Sequence, residues 1–490
     1  MSRHRFCVLL AISLASRSAT SAAQHASHSH TAPQAPIPGK LPITSRSPAA
    51  IALYLEGRTL QEALKPHEAH ARYGRAFALD RGFALAAYGL AATAPSPRAA
   101  REHLRQALAL GDSASAGERL VIRVLEARLD RGPAAWAAVA ESLVALHPDD
   151  ERAHWMLGSA RSALGEYAAA LAAYRGAIGI NPEFALAYNS IGYAERNAGH
   201  PAAAEAAFRR YIALVPDDPN PYDSYGELLL TLGRFDEAIA QYRRAQAIDP
   251  AFAGSFVGIA SAEALAGRHE AGRAEARRYL AAARDAHEQR AALQTLALVE
   301  ADDGRPDDAL AALTRMHDVA ASDGDTASMV EDVMDRGELL LDLGRVAEAE
   351  RAIRDADLLA AAASVPVEQQ VEVIARTDFL LARVAIAAGE LDRAATAAAN
   401  LADGDERWQG RAHELRGRVA LAAGEVARAV VELEAADRSD PSVLVLLARA
   451  HQGNGHAAMA RQIGATVAAT HRLLNWPLVR ARIALREVVW

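Results

Sequence analysis

Residues 192–216 read GYAERNAGHPAAAEAAFRRYIALVP, and the same frame recurs 34 residues upstream at 158–182 and 34 downstream at 226–250. Gly158, Gly192 and Gly226 open the three frames, and Gly165, Gly199 and Gly233 follow in each. Then come Ala170, Ala204 and Ala238, an aromatic residue (Tyr174, Phe208, Tyr242), and finally Pro182, Pro216 and Pro250. A fixed period of this size means one supersecondary unit stacked many times. The second glycine of each frame marks a turn, where left-handed backbone is cheap for Gly. The prolines cannot continue a helix and set its stop. The opening glycine lies inside a helix, where it costs about 1 kcal/mol and needs a packing reason. Small residues facing one another, Gly192 against Ala204 and the equivalent pairs, would let the two helices of a hairpin cross closely. The aromatic would fill the space between hairpins.

This spacing resembles the tetratricopeptide repeat, most strongly over residues 151–252. The resemblance implies an all-α fold, a right-handed α-solenoid of about a dozen antiparallel helix-turn-helix repeats. Weaker copies run in both directions: Gly57 with Ala69 and Tyr73, Gly89 with Leu104, Gly267 with Tyr279, Gly304 with Ala309, Gly337 and Gly344 with Ala349, Gly389 with Ala394, and Gly417, Gly424 and Pro441. Residues 113–148 keep only Trp136, Leu143 and Pro148 in register, and the longer gaps at 316–328 and 357–372 fit extended hairpins or irregular joints. The array is assigned to 49–475, with 476–490 as a terminal helix covering its last apolar face. The segment Asn220-Pro221-Tyr222-Asp223-Ser224-Tyr225-Gly226-Glu227-Leu228 also resembles a group of exported bacterial tetratricopeptide proteins, a likeness that bears on fold and not on function.

Composition agrees with helices packed mainly through Ala, Leu and Val, because aromatics make up only 5% of a chain that is 51% apolar. The net charge of −8 gives no basic stripe of the kind that nucleic-acid binding requires. Lys40 and Lys65 are the only lysines.

Residues 1–23 look like a secretory signal: a basic start (Arg3, His4, Arg5), an apolar stretch from Phe6 to Ala15, and a small-residue run from Ser18 to Ala23. The apolar stretch is shorter than the roughly 20 residues a membrane span needs. Loss of Arg3, Arg5 and Arg17 would shift the charge from −8 to −11, and loss of Cys7 would leave no thiol. An exported bacterial protein, periplasmic or secreted, is the implied fate. Residues 24–48, with Pro33, Pro36, Pro38 and Pro42, read as a flexible His/Ser/Pro-rich tether.

No catalytic motif emerges. Asp223-Ser224-Tyr225-Gly226 lacks the leading glycine of a nucleophile elbow, Gly39-Lys40 is followed by Leu41 in place of Ser or Thr, and His413-Glu414 runs into Leu415-Arg416-Gly417. No enzyme and no cofactor are implied. His67 and His70, one helical turn apart, read as exposed surface. His25, His28 and His30 in the tether, beside a freed amine, could bind copper or nickel and form the alternative function. The leading reading is a groove, since stacked repeats build an extended concave wall. In tetratricopeptide proteins the stripe around the interior glycine of the first helix lines that wall. Carried over, it comprises Arg152, Trp155, Ser159 and Ser162, then Leu186, Asn189, Tyr193 and Arg196, then Asn220, Asp223, Glu227 and Leu230. Aromatic anchors beside charged and amide groups suit a protein or peptide partner. The lysines of grooves that grip a peptide carboxy-terminus are absent. An Asn ladder is absent too: Met156, Ser190 and Ser224 stand where Asn would be needed.

Overall fold

The computed structural model describes residues 40–63, 65–94, 97–362, 367–403 and 408–486. Among the described residues 81% are helical, in twenty-five α-helices, and none is in a strand. The helices pair in chain order into hairpins, and within each unit successive hairpins pack on one another, an all-α arrangement of the solenoid type. Two compact units result. The first runs to Leu228 and takes in Ala240–Phe252; the second holds Leu229–Ile239 and everything from Ala253.

The central frames fold as their residues dictate. Glu151–Ala163 and Tyr167–Ile180 form one hairpin, and Ala185–Asn197 and Pro201–Leu214 the next. Gly165, Gly199 and Gly233 turn at φ of 76°, 82° and 73°, where a side chain would be strained. Pro201 starts its helix at a position whose N–H has no acceptor in any case. The degenerate stretch 113–148 is also a hairpin, Ala116–Glu126 with Pro133–Leu146. The longer period of 306–387 is absorbed by longer helices, Pro306–Asp323, Thr326–Asp342, Val346–Ala362 and Val367–Ala387.

The interior glycines lie beneath the aromatic of the second helix, and in other repeats the alanine backbone is close as well: a Cβ on Gly57 would stand 3.3 Å from Ala69 O. A Cβ on Gly192 would stand 2.6 Å from the Phe208 ring, one on Gly158 2.5 Å from Tyr174, and one on Gly226 2.9 Å from Tyr242. Alanine fits at 204 because that position is itself fully buried, while Phe208 takes the room the missing Cβ leaves. In addition, Tyr73 lies against Gly57 of its own hairpin and Gly89 of the next, so one ring locks two repeats.

Within each unit, first helices touch first helices of neighbouring hairpins, as in Glu151–Ala163 with Ala185–Asn197 and Ala253–Leu265 with Ala286–Asp302. No two second helices approach as closely, so the first-helix row is the crowded face of each unit. The terminal helix Trp476–Arg486 packs on the last hairpin, as its position suggests, and also on Ala286–Asp302 far upstream.

Gly192→Ala should therefore destabilise the array despite alanine's better helix propensity. Overpacking costs about 1–3 kcal/mol, against roughly 1 kcal/mol gained from propensity. Chemical denaturation should show the net loss, and adding Phe208→Leu should recover much of it. A stabilised single variant would refute the contact.

Candidate functional site

The residues of the proposed stripe lie on the helices Glu151–Ala163, Ala185–Asn197 and Pro219–Thr231, all but Leu230 in the first unit; Leu230 and Asn220 are buried and offer no open surface. The structure brings them together largely by pairing them with one another. Trp155 is half-buried between hairpins and donates from Nε1 to Ser190 Oγ at 2.9 Å. The Tyr193 ring stands edge-on to Phe208 with centroids 5.2 Å apart, and its hydroxyl donates to Glu227 at 3.1 Å. Burial, reinforced by the Glu227 charge, pushes the Tyr193 phenol well above its usual value, so it remains a donor. Arg196 closes the group, 2.7 Å from Glu227 and over the Tyr193 ring at 4.8 Å. Arg152 pairs with Glu62 and Glu151 and lies over Phe184 at 5.4 Å. Asp223 is half-buried on the same face, and Asn189 keeps a buried side-chain oxygen with no hydrogen-bond partner.

Trp155 and Tyr193 are thus partly open, yet both also bind hairpin to hairpin. Ser190 and Ser224, where the sequence reading looked for an Asn ladder, accept the hydrogen bonds of Trp155 and Tyr193 instead. Through its edge-on contact with Phe208, Tyr193 also joins the ring packing over Gly192.

The sequence reading missed a second feature of this unit. The part of the supposed flexible tether that the structure describes, residues 40–47, is held as an extended strap. Leu41 N–H donates to Asp150 at 2.9 Å, Thr44 N–H to Glu118 at 2.7 Å and Arg46 N–H to Asp80 at 2.9 Å. Lys40 pairs with Glu151, and Leu41 and Ile43 pack on the core that holds Tyr54, Phe83 and Met156. The acceptors are residues that also end helices. Asp150 caps Glu151–Ala163, and Glu118 completes a capping box with Ser115 that starts Ala116–Glu126. Each carboxylate gives one oxygen to its helix and the other to the strap. The Ser115-Ala116-Gly117-Glu118 box was readable as a helix start; its spare oxygen was not.

His25, His28 and His30 lie outside the described residues, as does the whole of 1–23. His70 accepts or donates to Thr93 at 3.0 Å beside the His103 ring, and among the described residues no group of three His, Cys, Asp or Glu is placed to hold a metal. No described helix is long and apolar enough to cross a membrane.

The model of the family described as tetratricopeptide repeat matches residues 127–183, 156–219, 189–253, 225–287 and 379–443. No curated protein matches the chain. Solved structures with similar parts include the MamA protein, 19% identical over 34% of this chain and 91% of that one, with a TM-score of 0.30. TTC0263, a thermophilic protein of the same repeat class in Thermus thermophilus, is 24% identical over 44% and 98%, at 0.29. PilW, titled a widely conserved type IV pilus biogenesis factor, is 20% identical over 42% and 95%, at 0.31.

The strap's carboxylates set its pH response. The Ser45 hydroxyl and Arg46 N–H hold Asp80 below its usual value; burial pushes Glu151 up, but Lys40, its own backbone N–H and Arg152 together bring it down. A depressed carboxylate stabilises above its unfolded pKa, about 3.9–4.3, and loses that contribution as pH falls through the folded value. Amides of residues 41–46 should stay protected from exchange at pH 7 and open as pH drops below about 4. Exchange unchanged between pH 6 and 3 would show that the carboxylates do not hold the strap.

Proposed function

Since the chain belongs to the tetratricopeptide-repeat superfamily, we propose that it is a non-enzymatic interaction scaffold whose first unit takes an extended segment of a partner protein along its first-helix row. The observation that carries this reading is the strap. The unit grips an extended piece of polypeptide through backbone N–H groups, which every sequence offers, and through pockets for Leu41 and Ile43. Beyond Lys40 the same row continues through Arg152, Trp155, Asn189, Tyr193, Arg196, Asp223 and Glu227. There an aromatic body, an unpaired amide oxygen and both charge signs meet. A mixed, half-open surface of this kind favours a polypeptide over a small ligand. Export to the bacterial envelope or beyond, after loss of residues 1–23, belongs to the same reading.

A photo-crosslinker placed at Ser159 or Ser162, on the stripe, should capture the partner, whereas one at Ala172, exposed on the second helix, should not. The reverse pattern would end the proposal. Because truncating Tyr193 also removes its stack on Phe208, Tyr193→Phe is the cleaner probe; it should leave the melting curve nearly intact and weaken binding by about 0.5–1.5 kcal/mol. Asp223→Arg should act mainly on association rate and salt dependence.

A further inference from the structure

The second unit carries a wall that the functional reading above does not use. Residues 471–475 and the Trp476–Arg486 helix run back along its first-helix row. The His471 ring stands edge-on to Phe235 at 5.1 Å, and Leu474 N–H donates to Ser261 Oγ at 3.1 Å. Arg482 forks onto both oxygens of Asp302 at 2.7 and 3.2 Å, with Arg486 at 3.6 Å from the same carboxylate. Arg480 reaches Glu338 at 2.9 Å and Asp342 at 3.6 Å. Leu478, Val479 and Ala481 are fully buried beneath these arginines.

The wall is built for cations. Asp302 and Asp342 are the last residues of Ala286–Asp302 and Thr326–Asp342. A carboxylate there adds to the negative end of the helix dipole, a placement that favours a cation beside it. Asp342 and Glu338 already have one in Arg383 of the same unit, which leaves Asp302 as the carboxylate that depends most on the docked segment. Asp302 is fully buried, and apart from His269 its partners here come from the docked segment. A buried carboxylate without such partners is costly. Burial pushes Glu338 up, yet Arg480, Arg383, Arg376 and Arg411 together hold it well below the usual carboxylate range. The occupant itself fits imperfectly. Trp476 Nε1 and Arg472 Nε are buried with no acceptor, a defect that weakens its hold relative to a helix without it.

We propose that this wall of Ser261, Asp302, Glu338 and Asp342 is a binding site for an arginine-bearing amphipathic helix, and that residues 471–486 are its resident occupant, displaced when a partner protein presents a helix of the same chemistry. The site lies in a different unit from the stripe and takes a different ligand, so the two readings stand or fall separately. The forked contact of Arg482 on Asp302 makes the site prefer Arg to Lys, since an ammonium offers no planar pair of donors.

The probe is a labelled synthetic peptide of residues 470–486, titrated into the full chain and into its Arg480→Glu/Arg482→Glu variant. The amides of 476–486 should lose exchange protection in the variant. The peptide should bind the variant at least tenfold more tightly than the wild type and weaken as salt rises. A peptide with Lys for each Arg should bind several-fold more weakly, and adding Asp302→Asn and Glu338→Gln to the variant should abolish binding. Should the variant fail to fold, a protease site inserted between Ala469 and Thr470 of the wild type serves instead. After cutting, the freed fragment should stay bound at low salt and exchange for added peptide while helicity is unchanged. Equal peptide binding to wild type and variant, a cut fragment that excess peptide cannot replace, or melting of the unit on cutting would each overturn the proposal. Dimers of the wild type that the peptide dissolves would make a second copy the occupant, and would equally overturn the assignment to another protein.

Discussion

The structure depends on a contact between a ring and a missing methyl group. Phe208 is fully buried over Gly192, and Tyr174 and Tyr242 repeat the arrangement one hairpin to either side. Burying a phenylalanine contributes about 1.5–3 kcal/mol, which exceeds the roughly 1 kcal/mol of helix propensity that glycine forfeits. In the first hairpins such a ring also reaches beyond its own hairpin: Tyr73 lies between Gly57 and Gly89. Stacking and hairpin closure are therefore one interaction, and an array with few aromatics can still be cohesive.

Because each repeat packs mainly on its neighbours, the crowded first-helix face is left to be covered by something else. In both units the chain covers part of that face itself. In the first unit it does so with an extended strap whose backbone N–H groups meet Asp150, Glu118 and Asp80. In the second it uses a helix whose arginines meet Asp302, Glu338 and Asp342. The chemistry differs because the carboxylates differ in position. Asp150 and Glu118 stand at helix starts, where they accept from N–H groups; Asp302 and Asp342 stand at helix ends, where only a cation suits them.

Periodic features were legible in the sequence. Gly165, Gly199 and Gly233 marked the turns, where positive φ favours glycine. The ring over Gly192 was not legible: the alanine and the aromatic of the second helix lie four residues apart on one face, and spacing alone does not say which of two neighbours comes nearest. Residues 40–47 resembled a tether because their structure comes from distant carboxylates, and a strap without helical or strand period leaves no local trace. The acids of the second unit did leave one. Asp302 and Asp342 each stand two residues before a turn glycine, Gly304 and Gly344, where other repeats carry Ala163, Leu265 or Ala387. The stripe from Arg152 to Glu227 lies on first helices, but its internal pairing depends on geometry the sequence does not carry.

The back-folded segment has a consequence for the order of assembly. Hairpins close over short stretches of chain and can form one after another, whereas Leu474 meets Ser261 across 213 residues and Arg482 meets Asp302 across 180. Contacts of such separation form only after the intervening chain is ordered enough to repay the loop entropy. Docking of residues 471–486 is therefore the most long-range step in ordering the second unit, and the one whose loop entropy the Arg482–Asp302 fork has to offset.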